Sequence, residues 1–301
     1  MGMERIAARP FVKWVGGKGQ LIGQLSPLLP GDLSSRKSFV YVEPFVGGGA
    51  MLFHMLARYP NISWAVANDL NADLVTAYRV VRDSPERLVA ALGALQRGFH
   101  ALPDEAARRG FYLDRRAQYN GRPSNPVETS ALFVFLNRTC FNGLYRVNAS
   151  GLYNVPFGKA ARPLICDEAN IVAASRLLKK VDFLCGDFER VARAVRGRAF
   201  WYFDPPYRPL TRTAAFTAYS KDGFGDVEQR RLAAFCRRLD AAGHRWLLSN
   251  SDPRNADPDD WFFDDLYGGF DIRRVFASRM VNAKADGRGK IAELAIRNYG
   301  E

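Results

Sequence analysis

Phe39-Val40-Tyr41-Val42-Glu43-Pro44-Phe45-Val46-Gly47-Gly48-Gly49 is the stretch on which the fold turns. An apolar run, Phe39 to Val42, ends at an acidic residue; glycines follow, and Met51 to Leu56 opens a second apolar stretch. That order predicts a buried strand, a tight turn and a helix. The glycines let the backbone turn sharply and let a ligand come close to it. A dinucleotide fingerprint needs a further glycine where Leu52 stands, which argues against a nicotinamide cofactor. Asp69 follows the glycines at about the twenty-residue spacing that places a carboxylate on ribose hydroxyls.

The same rhythm recurs along the chain. Trp64 to Ala67 leads into Asn68-Asp69, Val181 to Leu184 into Gly186-Asp187, Ala199 to Phe203 into Asp204-Pro205, and Trp246 to Leu248 into Ser249-Asn250. Short apolar runs alternating with helix-like segments predict an α/β sheet with its functional groups at the strand ends. Ligands of such sheets sit outside the carboxyl ends of the strands, so Glu43, Asp69, Asp187 and Asp204 are expected to converge there.

From Asp73 to about Pro163 the period becomes helical, with Leu74, Ala77, Tyr78 and Val81, then Leu88, Ala91, Leu92 and Leu95, on single faces. Ala131 to Leu136 reads as a buried strand run inside this region. Leu144 to Val147, a turn at Asn148-Ala149-Ser150-Gly151, and Leu152 to Phe157 read as a hairpin. Residues 73–163 are therefore expected to form an inserted lobe, with 1–72 and 164–301 forming the main domain. Ser251 to Asp265, rich in Asp and Pro, reads as a surface loop.

Lys and Arg total 43 against 31 Asp and Glu, a formal net charge of +12, which favours a polyanionic partner, nucleic acid first. Cys140, Cys166, Cys185 and Cys236 are scattered and do not cluster with His54, His100 and His244, so no metal site and no disulfide framework is expected. No apolar run reaches the length of a membrane span. The chain reads as a cytoplasmic protein, monomeric by default.

Two segments carry chemistry beyond the glycine loop. Phe11-Val12-Lys13-Trp14-Val15-Gly16-Gly17-Lys18 lacks the spacing and the hydroxyl of a phosphate loop; Lys18 suits a carboxylate partner and Trp14 an apolar or cationic group. Phe203-Asp204-Pro205-Pro206-Tyr207 is the stronger signal. An aromatic amino group is a poor nucleophile because its lone pair is delocalised into the ring, and two fixed acceptors can draw its hydrogens out of conjugation. Asp204 offers a carboxylate, Pro205 a main-chain carbonyl held by a restricted φ, and Tyr207 a ring for stacking a base. A base in a duplex must be turned out to reach such a site. Arg138, Asn142, Arg146, Asn148 and Lys159 around the hairpin are suited to hold DNA, and Phe141 to fill the gap left by the base.

The order of these elements resembles the Dam-type (D12 class, α-group) DNA adenine methyltransferases. The matching segments are Phe11 to Lys18, Val42 to Gly49, Asp69, Asn137 to Gly158 and Asp204 to Tyr207, with Phe216 to Leu239, Leu247 to Asp252 and Arg279 to Tyr299 similar to later segments. The resemblance implies a Rossmann-like sheet binding S-adenosylmethionine, with an inserted, mainly helical target-recognition lobe that carries the hairpin and binds double-stranded DNA. It implies cofactor contacts from Trp14, Gly16, Gly17, Lys18, Glu43, Phe45, Gly47, Asp69 and Asp204, and from Asp187 and Phe188 at the cofactor's adenine. It implies catalytic roles for Asp204, Pro205 and Tyr207. Members that methylate GATC resemble this chain at Lys13, Leu144, Arg146 and Pro156, which makes GATC the expected site. An RNA base or a protein glutamine amide is the nearest alternative substrate, and an inactive nucleic-acid-binding relative the next. The basic inserted lobe favours DNA, and the intact Asp204 and Tyr207 favour activity.

Overall fold

The computed structural model describes residues 7–16, 18–208, 224–278 and 290–300. Gly17, expected in the donor site, lies outside them, as do parts of the segments beginning at Phe216 and Arg279. In chain order the elements are α1 (Ile22–Leu25), β1 (Phe39–Glu43), α2 (Ala50–Arg58), β2 (Ile62–Asp69), α3 (Ala72–Asp83), α4 (Pro85–His100), α5 (Glu105–Asn120), α6 (Pro126–Thr139), α7 (Glu168–Leu178), β3 (Val181–Cys185), β4 (Ala199–Phe203), α8 (Asp226–Ala241), β5 (Arg245–Ser251), α9 (Phe262–Leu266), β6 (Asp271–Ser278) and β7 (Lys290–Arg297).

The strands form a seven-stranded sheet in the order β3-β2-β1-β4-β5-β7-β6. β1 pairs in parallel with β2 and β4, and β4 with β5, while β7 runs antiparallel between β5 and β6. This is the expected α/β, Rossmann-like class. The five apolar runs are β1 to β5, and β4, buried at every position, shows why a central parallel strand reads as an unbroken apolar run. The antiparallel pair β6 and β7 was not separately expected. Strand order reverses between β1 and β4, the switch point at which such sheets open a crevice.

The chain forms two compact units: Met1–Gly17 with Val46–Arg58 and Asn68–Gly186, and Lys18–Phe45 with Tyr59–Ala67 and Asp187–Glu301. In the first, α6 packs against α3, α4 and α5. Helix starts are set by side-chain caps that satisfy otherwise orphaned N–H groups: Asn71 accepts from the amides of Asp73 and Leu74, Asp104 from Ala107, and Asn125 from Val127. Ala131 to Leu136 is not a strand; it is the middle of α6, buried from Ser130 to Asn137. Three neighbouring helices bury several faces of α6, so its sequence loses the 3.6-residue period and imitates a buried strand. The hairpin is present without a regular ladder. Val147 bridges Tyr153 and Cys140 bridges Phe157, both antiparallel, and the turn residue Gly151 has φ of 73°.

In the second unit, Ser251 to Asp265 is only partly a surface loop. Ser251 ends β5, and Asp252 is buried, taking Arg274 at 2.8 Å. A buried carboxylate with its own arginine is a structural pin, which the Asp- and Pro-rich composition concealed.

Candidate active site

Within the first unit the site begins at the glycine loop. Gly47 and Gly49 have φ of 47° and 77°, the left-handed region that disfavours side chains. A Cβ on Gly47 would stand 2.9 Å from Trp14 Cδ1, and one on Gly48 2.8 Å from Trp14 Cβ, so the Trp14 side chain rests directly on the loop backbone. Its other neighbours are Tyr145, stacked at 5.9 Å between centroids, and Phe133 at 6.4 Å. The Gly47 amide donates to Asp69 Oδ2 at 3.0 Å and the Asn71 amide to Asp69 Oδ1 at 2.9 Å. Tyr78 donates its hydroxyl to the Gly47 carbonyl at 2.9 Å. Burial raises the Asp69 carboxyl above its ordinary value, opposed by the amides of Asn71, Gly47 and Leu70. The carboxylate thus ties the end of β2 to the glycine turn, and each oxygen keeps a lone pair for a hydroxyl.

The hairpin is fixed to the N-terminal segment of the same unit. Asn137 accepts from the Lys13 amide at 2.7 Å and donates to the carbonyls of Lys13 at 2.8 Å and Gly143 at 3.0 Å. Arg138, expected to hold DNA, is half-buried and donates to the Phe11 carbonyl at 2.8 Å. Phe141 is 51% exposed, and Asn142 beside it has φ of 55°. Lys13, Arg146, Asn148, Pro156 and Lys159 are exposed and Leu144 half-buried. Arg146 is aimed by Asn154 Oδ1 at 2.8 Å, and Asn148 Oδ1 closes the turn through the amides of Ser150 and Leu152. Lys159 approaches Glu105 at 3.4 Å on the surface.

Within the second unit, Asp204 stands just beyond β4. Lys18 Nζ lies 3.1 Å from its Oδ1, and Ser249 donates to the same oxygen at 3.2 Å. Oδ2 has no partner among the described residues, and neither does the Pro205 carbonyl. The next carbonyl, of Pro206, is held by Gln229 Nε2 at 3.2 Å, and Gln229 in turn by Asn250 at 3.2 Å. The motif therefore presents two adjacent open acceptors on a pinned backbone. Tyr207 donates to Glu293 Oε2 at 2.5 Å, and Lys18 reaches the same oxygen at 3.0 Å. Burial raises the Asp204 carboxyl; the charge and hydrogen bond of Lys18 and the Ser249 hydroxyl pull it back, and the Glu293 charge pushes it up.

Glu43, at the end of β1, accepts from Tyr41 at 2.7 Å and is buried; burial holds it well above the usual carboxylate range, and the Asp204 charge adds to this. Asp187 caps the turn after β3 by accepting from the Glu189 amide at 3.0 Å and is paired with Arg231. Phe188 packs 5.3 Å from Phe45 and 4.5 Å from the Arg231 guanidinium.

The expected residues thus fall into three groups: Trp14, Gly47 and Asp69; Lys18, Asp204, Pro205 and Tyr207; and Phe45, Asp187 and Phe188. Sequence reasoning missed Ser249 as a support for Asp204, and also Gln229, Arg231 and Glu293. Glu293 alone left a signal, a carboxylate inside the apolar run Ile291-Ala292-Glu293-Leu294-Ala295-Ile296 that needs a buried partner.

Comparison with known proteins agrees with these features. Residues 14–281 match the family model described as D12 class N6 adenine-specific DNA methyltransferase. Type II methyltransferase M.MjaIII of Methanocaldococcus jannaschii is 46% identical, over 97% of this chain and 99% of its own. Type II methyltransferase M1.LlaDCHI of Lactococcus lactis subsp. cremoris is 37% identical over 98% and 97%. A DNA adenine methylase of Haemophilus influenzae is 30% identical over 96% and 93%.

Proposed function

Because the chain belongs to the D12 class N6 adenine-specific DNA methyltransferases, we propose that it moves a methyl group from S-adenosylmethionine to the amino nitrogen of an adenine turned out of duplex DNA, with GATC as the site. The observation that carries this reading is the pair of open acceptors, Asp204 Oδ2 and the Pro205 carbonyl, beside the ring of Tyr207.

The side chains fit the donor. Asp204 and Glu293 set two carboxyls against the single ammonium of Lys18, which suits a cation, and Asp69 keeps acceptor capacity for ribose hydroxyls. Trp14, Gly16, Gly17, Lys18, Glu43, Phe45, Gly47, Asp69, Asp187, Phe188 and Asp204 would hold it. When bound, the donor supplies an electrophilic methyl on positively charged sulfur.

The remaining work falls to the protein. Asp204 Oδ2 and the Pro205 carbonyl accept the two amino hydrogens, which returns lone-pair density to the nitrogen and favours the positive charge that develops on it. Asp204 Oδ2 then takes the proton that the methylated amine releases. Its raised carboxyl pKa suits it to hold that proton. Tyr207 stacks on the adenine and fixes its plane.

Residues 73–163 would read the duplex. Phe141, exposed beside a left-handed residue, would fill the gap in the stack, and Lys13, Asn142, Leu144, Arg146, Asn148, Pro156 and Lys159 would contact DNA. Arg138 would act on DNA through the segment it holds at Phe11. GATC rests on Lys13, Leu144, Arg146 and Pro156. Among the described residues no helix is long and apolar enough to cross a membrane; a cytoplasmic monomer fits this reading.

The test is incubation with labelled S-adenosylmethionine and duplexes of varied sequence, then mapping of the modified base. N6-methyladenine in GATC supports the whole proposal, and a different adenine site refutes only GATC. Label in RNA or protein alone refutes the substrate. Asp204→Ala should lower turnover by about 10²–10³-fold or more while duplex binding persists.

A further inference from the structure

We propose that Glu293 is a positioning residue for methyl transfer, setting the plane of the Tyr207 ring through its hydroxyl and holding Lys18 on the Oδ1 oxygen of Asp204. This rests on the proposed role of Tyr207 as the platform for the adenine.

Glu293 lies on β7, opposite Ser251 of β5 in antiparallel register. One of its oxygens, Oε2, accepts from two donors, Tyr207 at 2.5 Å and Lys18 at 3.0 Å. Lys18, only 4% exposed, spans from Glu293 to Asp204 Oδ1, and its ammonium sits 4.2 Å from the centre of the Tyr207 ring. One face of the ring is therefore covered by a cation, which leaves the other face for a base. Tyr207 stands in a segment without helix or strand, so no backbone ladder sets its direction. Among the described residues its anchors are the hydroxyl bond to Glu293 and the ammonium over its face. Both depend on Glu293: without it the hydroxyl loses its acceptor, and Lys18 loses the second of two carboxylates that stretch it into place.

The same bridge selects which oxygen of Asp204 is free. Lys18 and Ser249 both occupy Oδ1, and Oδ2 remains open for the amine. Removing Glu293 frees the ammonium to swing toward Oδ2 and compete with the adenine.

The experiment uses the full-length enzyme, an adenine duplex, and a second duplex with 2-aminopurine at the target position. Glu293→Ala, Glu293→Gln, Tyr207→Phe and the double variant Glu293→Ala/Tyr207→Phe are compared for single-turnover rate, duplex affinity and the fluorescence of the everted base, which stacking quenches. Glu293→Ala is expected to slow the methyl-transfer step on the order of 10²-fold, with duplex affinity within about threefold of wild type. It should also brighten the everted base. Tyr207→Phe removes the shared hydroxyl, so the double variant should be little slower than the slower single variant rather than the product of the two.

Glu293→Gln keeps size and an acceptor but removes the charge, and remains informative if the alanine variant does not fold. Groups whose charge acts on Asp204, or which respond to it, are Lys18, Glu293, Glu43, Tyr41 and Tyr202. Of these, Glu293 pushes the Asp204 carboxyl up, so Glu293→Gln should move the acid limb of the rate profile to lower pH. Multiplicative loss in the double variant, unchanged fluorescence in Glu293→Ala, or an acid limb that stays in place in Glu293→Gln would overturn the assignment. A wild-type enzyme that methylates no adenine would overturn the proposed function itself, and that result is read before any variant.

Discussion

Placing alanine at Gly47 tests whether the glycine loop exists to seat Trp14. Two separable costs follow from the geometry. The backbone there has φ of 47°, where an L-residue costs roughly 1–2 kcal/mol. The added Cβ would lie 2.9 Å from Trp14 Cδ1 and 3.1 Å from Nε1, inside the ~3.5–4.0 Å of ordinary carbon contact. The indole must retreat by about half an ångström, and Tyr145 and Phe133 oppose that retreat. Overpacking of this kind costs ~1–3 kcal/mol, which brings the sum to about 2–5 kcal/mol and the fall in Tm to about 3–8 °C for a chain of this size. Gly16 is the control, with φ of 77° and nothing within 4 Å of its Cβ position, so Gly16→Ala carries the backbone cost alone. Thermal melting of both variants, with and without S-adenosylmethionine, separates the terms. Gly47→Ala should melt lower than Gly16→Ala and lose most of its stabilisation by the donor. Equal melting of the two variants, or full donor stabilisation in Gly47→Ala, would refute the idea that Trp14 is held by contact with this backbone.

Lys18 lowers the Asp204 carboxyl that burial raises, so turnover should fall as pH drops through that raised value, and Lys18→Gln should shift the acid limb to higher pH in a rate-against-pH measurement. Linkage gives the opposite sign for stability: the Asp204 contribution is full below the unfolded value near 3.8 and is lost as pH rises through the folded one, a loss that extends to higher pH in Lys18→Gln. With a net charge of +12, duplex affinity measured by fluorescence anisotropy should weaken by roughly 10²-fold or more between about 50 and 200 mM salt, and a flat response would contradict phosphate contacts. Phe141→Ala should reduce the everted population seen by 2-aminopurine fluorescence while leaving donor affinity unchanged.

Much of this architecture is written locally. β1, β2 and β4 can be read because each is a short apolar run that ends at a carboxylate, and the candidate site residues Glu43, Asp69 and Asp204 stand at those ends. What is not local is not legible. The partnership of Lys18 with Glu293 spans 275 residues, and no spacing rule reaches that far. Ala131 to Leu136 misleads for the opposite reason: burial by several helices erases the period that marks a helix. Arg138 and Asp187 show a third limit. In the fold Arg138 holds the Phe11 carbonyl and Asp187 pairs with Arg231, structural uses that depend on neighbours the sequence places far away and that residue type does not announce.

The antiparallel strand β7 explains how a sheet built for open carboxyl ends acquires a second carboxylate at the Asp204-Pro205-Pro206-Tyr207 motif. A parallel strand would bring another carboxyl end to that edge, followed by a loop. β7 runs the other way, so Glu293, inside the strand, meets the end of β5 on a paired backbone, opposite Ser251. A side chain on a strand is held more rigidly than one on a loop, which is what an anchor for Tyr207 and Lys18 requires. The charge count then follows. Lys18 and Glu293 largely offset one another, so the charge of Asp204 is left to act at its open oxygen. In the proposed reaction methyl transfer leaves positive charge on the adenine amine, and a carboxylate with charge to spare beside that nitrogen would stabilise it more than one fully spent on a lysine.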